Sequence, residues 1–259
     1  MRQPTSAGSI ALLLLLSCPA GVAGQPRIPE VKVRAKTPCQ IHPETAVETA
    51  ALWVSAEAAL AGSVADDSTP PLLLVQKWRR KLDRSLKLIY ERRDSSLVAT
   101  RQPFSAKTPS SIERAGYIQR MFKTLIFYGP DPDEIITERF LRQHCFRRVE
   151  GSGATQGLAG LAFDPLPRQQ KPDVSGILWV EPVSGTLRYV EYGWTNAPYG
   201  VDGGRARGRT DFVRLANGGW ITQRWYIRMP EGSGFDFEGY SEEGGELLAV
   251  GPPAPKRKN

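Results

Sequence analysis

The stretch that decides the fold is residues 173–230, DVSGILWVEPVSGTLRYVEYGWTNAPYGVDGGRARGRTDFVRLANGGWITQRWYIRMP. Its segments 174–181 and 186–195 are rich in β-branched and aromatic residues and flank a Pro-Val-Ser-Gly turn, which is typical of a hairpin. Segments 210–215 and 220–229 repeat this design around an Asn-Gly pair, whose residues tolerate the positive φ angles of a tight turn. The stretch therefore predicts four antiparallel strands.

Two helices are predicted from the residues that begin them. Thr45 and Glu48 have the spacing of a capping box, which predicts a helix that ends near residue 61. Asp131 is followed directly by proline and two acidic residues, a pattern that favours a second helix ending near residue 144.

The segment 72–93 is ambiguous, because its apolar spacing suits either a helix or two amphipathic strands joined at residues 83–85. We interpret it as two strands, since the edge of the meander needs a partner. Further strands are predicted at residues 117–128, 145–150, 157–164 and 246–250, with loops at residues 101–111 and 231–245. The predicted fold class is α+β, a curved antiparallel sheet (a meander) covered on one face by two helices.

The N-terminal 24 residues have the layout of a secretory signal peptide, with a basic start, an apolar run at residues 10–16 and small residues before the cleavage point. This run is too short to span a membrane. An alternative is lipoprotein processing, which leaves Cys18 lipidated at the new N-terminus. Both alternatives predict a protein in the periplasm or secreted.

After the leader, we predict an extended lead-in at residues 25–38, a single α+β domain at residues 39–250 and a disordered basic tail at residues 251–259. Cleavage of the leader removes one of the 3 cysteines and leaves Cys39 and Cys145. An even pair in an exported protein predicts a disulfide between them. The alternative is two buried free thiols.

The formal net charge is +7 and the basic residues are spread along the chain. An exported protein meets little nucleic acid, so anionic membrane surfaces or acidic envelope proteins are the better predicted partners. The alternative is a basic surface that has no such partner.

No motif in the sequence indicates catalysis, a metal site or a cofactor. The histidines His42 and His144 have no nucleophile or metal-ligand pattern beside them, and nucleophile elbows, zinc motifs and phosphate-binding glycine loops do not occur. The chain is therefore predicted not to be an enzyme. A hydrolase whose nucleophile and base are assembled only by the fold stays the third alternative.

The residues that we predict to bind a ligand are aromatic and arginine side chains of the meander. Strict alternation along residues 220–229 places four of them on one strand face, and two on the preceding hairpin have the same mixed character. The six are Tyr192, Trp194, Trp220, Arg224, Tyr226 and Arg228. The alternative is ordinary sheet packing with arginine stems lying over the rings.

Several stretches resemble an uncharacterised region of exported bacterial proteins labelled carboxypeptidase regulatory-like domain-containing. They are CQIHPE at 39–44, ALW at 51–53, FLRQHCF at 140–146, GLAFDP at 160–165, residues 173–192 and WYIRMP at 225–230. The resemblance covers residues 34–250 and implies no peptidase activity. The small β-sandwich that normally precedes this region is missing, because residues 25–38 are too few to form one.

The element order also resembles the periplasmic lipoprotein-carrier architecture, which implies an apolar cavity between the curved sheet and its helices. The first predicted function is therefore a periplasmic binding module that accepts a lipid or another apolar ligand there. The second is an envelope interaction domain with a packed core, whose arginine-rich strand face and basic tail contact a protein or an anionic membrane surface.

Overall fold

The computed structural model describes residues 43–64, 71–100, 103, 109–122, 124–167, 170–198, 205–232 and 237–253. All of them belong to one compact unit, Arg34–Asn259. The predicted leader, the lead-in and Cys39 lie outside the described residues.

The described chain is built mainly of antiparallel strands. They are β1 (Pro71–Leu82), β2 (Leu88–Ala99), β3 (Ile118–Met121), β4 (Thr124–Phe127), β5 (His144–Glu150), β6 (Ala159–Pro165), β7 (Asp173–Glu181), β8 (Thr186–Thr195), β9 (Arg207–Arg214), β10 (Trp220–Glu231) and β11 (Gly239–Pro253). Nine of them form one sheet in the order β2-β1-β11-β10-β9-β8-β7-β6-β5, and β3 pairs with β4 apart from it. The predicted antiparallel sheet, with its four-strand meander β7–β10, is confirmed.

The ambiguous segment forms strands β1 and β2, as predicted. At the turn between them the Asp83 carboxylate accepts hydrogen bonds from the amides of Ser85 and Lys87, at 2.8 and 2.9 Å. Leu86 takes a positive φ of 69° to complete the reversal. This local bonding favours a hairpin over a continuous helix.

The last strand, β11, is longer than predicted and lies between β1 and β10. The predicted loop at residues 240–245 is wrong, because these residues are strand. Gly244 and Gly245 leave room for indole rings: a Cβ at Gly244 would lie 2.6 Å from Trp78, and one at Gly245 would lie 2.4 Å from Trp225. These glycines therefore allow close ring packing on the strand. The strand also runs three residues into the predicted tail.

The helices differ from the prediction in number and length. They are α1 (Pro43–Val64), α2 (Pro109–Ala115), α3 (Pro132–Ile135) and α4 (Glu138–Gln143). Thr45 is not the N-cap of α1, which begins before it. The predicted second helix divides into α3 and α4, because the Thr137 hydroxyl caps a new start by accepting from the amide of Phe140.

Helix α1 packs against β5, β6, β7, β8 and β10. Cover by two helices is thus not confirmed, since α1 is the only long helix among the described residues and the predicted second helix is divided into α3 and α4. Residues 117–128, predicted as one strand, form the hairpin β3–β4 around Phe122, which has a φ of 54°. We call the sheet face beneath α1 the covered face and the opposite one the open face.

The main hydrophobic core lies between α1 and the covered face. Its largest fully buried members include Leu60 of α1, Phe140 of α4, Phe163 of β6 and Leu178 of β7. A smaller second cluster joins Leu73, Val75, Ile221 and Trp225. Burial of these apolar side chains is the main favourable contribution to folding.

Candidate functional site

Three of the six predicted ligand-binding residues are buried in the main core. Tyr192, Trp194 and Trp220 are between 5 and 8% exposed and belong to the cluster beneath α1. The Trp194 indole donates a hydrogen bond to the carbonyl of Tyr128 at 2.9 Å. A Cβ at Gly62 of α1 would lie 2.8 Å from the Trp220 ring. These rings are packing residues of the covered face.

The other three, Arg224, Tyr226 and Arg228, lie on the open face. The prediction that they share a face with Trp220 is wrong, because a β-bulge shifts the register between Thr222 and Arg224. A bulge adds one residue to one strand and so reverses the alternation beyond it.

The open face presents a continuous group of aromatic and charged side chains across seven strands. Cross-strand register places Glu242 between Arg228 and Arg80, and Gly244 between Tyr226 and Trp78. The group, which we call the open-face network, contains Trp78, Arg80, Glu91, Arg93, Trp179, Tyr189, Glu191, Arg209, Asp211, Arg224, Tyr226, Arg228, Glu242 and Glu246.

Glu242 is the central acid of this network. Its side chain is 6% exposed and binds two guanidinium groups, Arg80 at 2.9 Å and Arg228 at 2.8 Å. Arg80 also pairs with Glu91 at 3.2 Å, and Glu91 in turn pairs with Arg93. The Arg80 guanidinium lies 4.8 Å from the Trp78 ring centroid, within cation–π range. Ion pairs thus join β10, β11, β1 and β2.

A second group of contacts lies on β7, β8 and β9. Arg209 binds both carboxylate oxygens of Asp211 and lies 3.5 Å from the Tyr189 ring centroid. The Trp179 indole donates to Glu191 at 2.8 Å. These contacts hold the aromatic rings in place and leave Arg209 paired.

A cavity of about 500 Å³ opens between the two groups. Its lining residues are Arg209, Asp211, Gln223, Arg224, Tyr226, Glu246 and Leu247. Gln223 and Arg224 occupy the bulge and are exposed. Glu246 and Asp211 lie opposite Arg224 on the neighbouring strands, but among the described residues no carboxylate forms an ion pair with it. Its guanidinium lies 5.5 Å from the Trp78 centroid. Burial raises the pKa of the Tyr226 phenol, which is a neutral hydrogen-bond donor at pH 7.

A buried polar cluster lies on the other side of the sheet. His144 stacks on Phe140, and its ring nitrogens lie 3.0 Å from the Phe140 carbonyl and 3.2 Å from the Val174 carbonyl. Glu134 pairs with Arg139, and the Tyr117 hydroxyl donates to Glu134. The adjoining cavity holds about 50 Å³, room for little more than a water molecule. These groups connect α3, α4 and β7 structurally.

Within the described ranges, no group of three or more His, Cys, Asp or Glu side chains is placed to hold a metal ion. No helix in this part of the chain is both long and apolar enough to cross a membrane. Cys145 is disulfide-bonded, and since its predicted partner Cys39 lies outside the described residues, the pairing stays a prediction. His42 lies outside them as well.

Sequence reasoning missed the part of the network that β1 and β11 contribute, notably Trp78, Arg80 and Glu242. The only local signal is the group of basic residues around one tryptophan in QKWRRKL at 76–82 and the three acids of YSEEGGEL at 240–247. Nothing in either stretch indicates that the two strands pair.

Comparison of the chain with protein-family models, curated proteins and solved structures gives no match. The family resemblance is therefore carried by those sequence stretches alone.

Proposed function

We propose that the chain is an exported, non-catalytic binding module of the cell envelope, and that its open face binds a partner protein through an acidic group. The supporting observation is the cavity around Arg224, whose exposed guanidinium lacks a carboxylate partner among the described residues. Gln223 and Tyr226 add neutral hydrogen-bond donors to its lining. A guanidinium matches the planar geometry of a carboxylate or phosphate and forms charge-assisted hydrogen bonds with it.

The other four arginines of the open-face network are paired with neighbouring carboxylates. Arg80 and Arg228 share Glu242, Arg93 pairs with Glu91, and Arg209 pairs with Asp211. A face balanced in this way attracts an anionic membrane only weakly, because attraction to a charged surface depends on summed net charge. The geometry favours recognition of one acidic group at Arg224 over adsorption to a lipid surface.

A lipid carrier receives less support from this structure. Ala56, Ala59 and Leu60 of α1 are completely buried against the sheet, and Trp220 reaches Gly62 on the same helix. Side chains therefore fill this part of the helix–sheet interface, where an acyl chain would have to lie. The 500 Å³ cavity is on the open face and is lined mainly by polar residues.

Replacing Arg224 with glutamine is expected to weaken binding of an acidic probe about tenfold or more, because a charge-assisted hydrogen bond is lost. The probes are inorganic phosphate and a short glutamate-containing peptide. Binding is followed by NMR titration of the Gln223 and Tyr226 amides. Arg224→Lys should retain part of the affinity, since the charge remains but the planar guanidinium is lost.

The matched control is Arg207→Gln, which removes the same charge from an exposed arginine of β9 that does not line the cavity. Its affinity for both probes should stay within about twofold of the unsubstituted protein, because distant exposed charges are screened by salt. The proposal would be refuted if both variants lost the same affinity, or if neither probe gave a saturable chemical-shift change.

Native mass spectrometry of the protein isolated from an envelope fraction distinguishes the binding module from a carrier. We expect a ligand-free protein mass. A bound lipid that persists in Arg224→Gln would instead support the helix–sheet interface as a lipid site.

A further inference from the structure

We propose that the chain forms a two-fold symmetric dimer by antiparallel pairing of strand β2 with β2 of a second copy, which joins the two sheets into one. This proposal concerns the sheet edge and does not depend on the function proposed for the open face. It rests on the exposure of β2 and on the self-complementary order of its side chains.

Strand β2 is the last strand at one end of the nine-stranded sheet. Its sequence, LIYERRDSSLVA, contains neither proline nor lysine. Its register with β1 is continuous from Tyr90 to Ala99. Natural edge strands are usually short, or are protected by lysine, proline or bulges, because their free amide and carbonyl groups pair with other chains. This edge is long and has no proline, lysine or bulge over residues 90–99, and the charged residues 91–94 are the one such protection that it keeps.

Large apolar side chains on β2 are exposed as well. Ile89 is 59% exposed, Tyr90 59% and Leu97 64%, and Leu88 at the start of the strand is 50% exposed. They are concentrated toward the two ends of β2, with charged residues between them. Antiparallel pairing brings the first end of one strand against the second end of its partner, so apolar meets apolar twice.

The charged centre of β2 selects the register. In a two-fold symmetric pair of strands, the central residue lies opposite the same residue of the second copy. The residue before it in one copy lies opposite the residue after it in the other, and this pairing occurs twice. Centring on Arg93 places Arg92 opposite Asp94 of the second copy and Asp94 opposite Arg92 of the second copy. Within one chain Arg92 and Asp94 already pair at 3.2 Å and are 66 and 68% exposed. Dimerisation adds two ion pairs of the same kind.

The two copies of Arg93 are not left uncompensated in this register. Each is paired with Glu91 of its own chain and donates to Gln76 at 2.8 Å. Other registers match less well: centring on Asp94 opposes the two copies of Asp94 and places Glu91 against Leu97. Centring on Arg92 opposes Glu91 and Arg93 of the two copies, which already pair within each chain, but it places Tyr90 against Asp94 and Leu97 against Lys87. Like charges and charge–apolar pairs directly opposite each other are unfavourable in a sheet.

The test is sedimentation of the purified protein, expressed from the full chain, with the variants Arg92→Asp, Asp94→Arg and the double exchange. The dimer dissociation constant of each single variant should be higher by about tenfold or more, because both reciprocal pairs become repulsive. The double exchange should restore dimerisation. An equimolar mixture of the two single variants should form heterodimers, since each then faces the opposite charge.

Both sites are exposed, so thermal unfolding of the monomers should be the same in all variants, which separates the dimer contact from a fold defect. A wild-type protein that sediments as a monomer up to about 1 mM overturns the proposal. If the single variants dimerise as strongly as the wild type, self-association does not use β2, and the proposal is overturned as well.

Discussion

Replacing Glu242 with glutamine is expected to lower the free energy of unfolding by about 2 to 4 kcal/mol, because it leaves two arginines without their shared carboxylate. The carboxyl group is 6% exposed and binds Arg80 and Arg228 at 2.9 and 2.8 Å. Each arginine is itself 21% exposed, so water screens part of the loss and keeps it below that of a fully buried pair. Denaturant unfolding followed by tryptophan fluorescence measures the change.

The matched control is the next residue of the same strand. Glu243 pairs with Arg79 at 3.2 Å, yet the two side chains are 54 and 76% exposed. Glu243→Gln should therefore change the free energy of unfolding by less than about 0.5 kcal/mol. Equal effects at the two positions would show that the open-face network adds little to stability, and that burial of Glu242 is compensated in some other way.

Local patterns were enough to predict most strands of the sheet. Hairpin turns such as Asn217-Gly218 are encoded by adjacent residues: Gly218 has a φ of 85° and the Asn217 side chain accepts from the amide of Gly219. The hairpin of β1 and β2 follows from Asp83 in the same way. In each case the residues that decide the structure are neighbours in the chain.

Non-local pairing was beyond sequence reasoning. Strand β11 inserts between β1 and β10, and its partner residues are more than 150 positions away in the case of β1. The bulge at Thr222–Arg224 has no strong sequence signal, and it separates Trp220 from Arg224 by moving them to opposite faces. The residues of the candidate site that lie on β10 could thus be predicted from the sequence. The strand order of the structure was needed to identify Trp78, Arg80 and Glu242.

Gly208→Ala is expected to lower the free energy of unfolding by about 1 to 3 kcal/mol through overpacking against Tyr192. Gly208 lies directly opposite Tyr192 in the pairing of β8 with β9. A Cβ there would lie 2.2 Å from Cζ of the tyrosine ring. The ring has little room to move away, because a Cβ at Gly129 would lie 2.0 Å from its hydroxyl on another side. Thermal or denaturant unfolding gives the change.

Gly193→Ala is the matched control, one residue from Tyr192 on β8. A Cβ there meets only the Ala206 carbonyl oxygen at 3.6 Å, an ordinary contact. The substitution should be neutral or slightly stabilising, since alanine reduces the conformational entropy of the unfolded chain. If both variants lost similar stability, the cost would come from adding any side chain at these strand positions and not from contact with the tyrosine ring.

A double-mutant cycle then assigns the role of Tyr192. Tyr192→Leu removes the ring and by itself leaves a cavity in the main core. Combined with Gly208→Ala, it should destabilise by clearly less than the sum of the two single changes, because the smaller side chain makes room for the new methyl group. Such coupling would mark Tyr192 as a ring fixed by its two glycine neighbours. If the two losses of stability are additive, the tyrosine ring can move aside for the methyl group. Tyr192 would then again be a candidate for contact with a ligand.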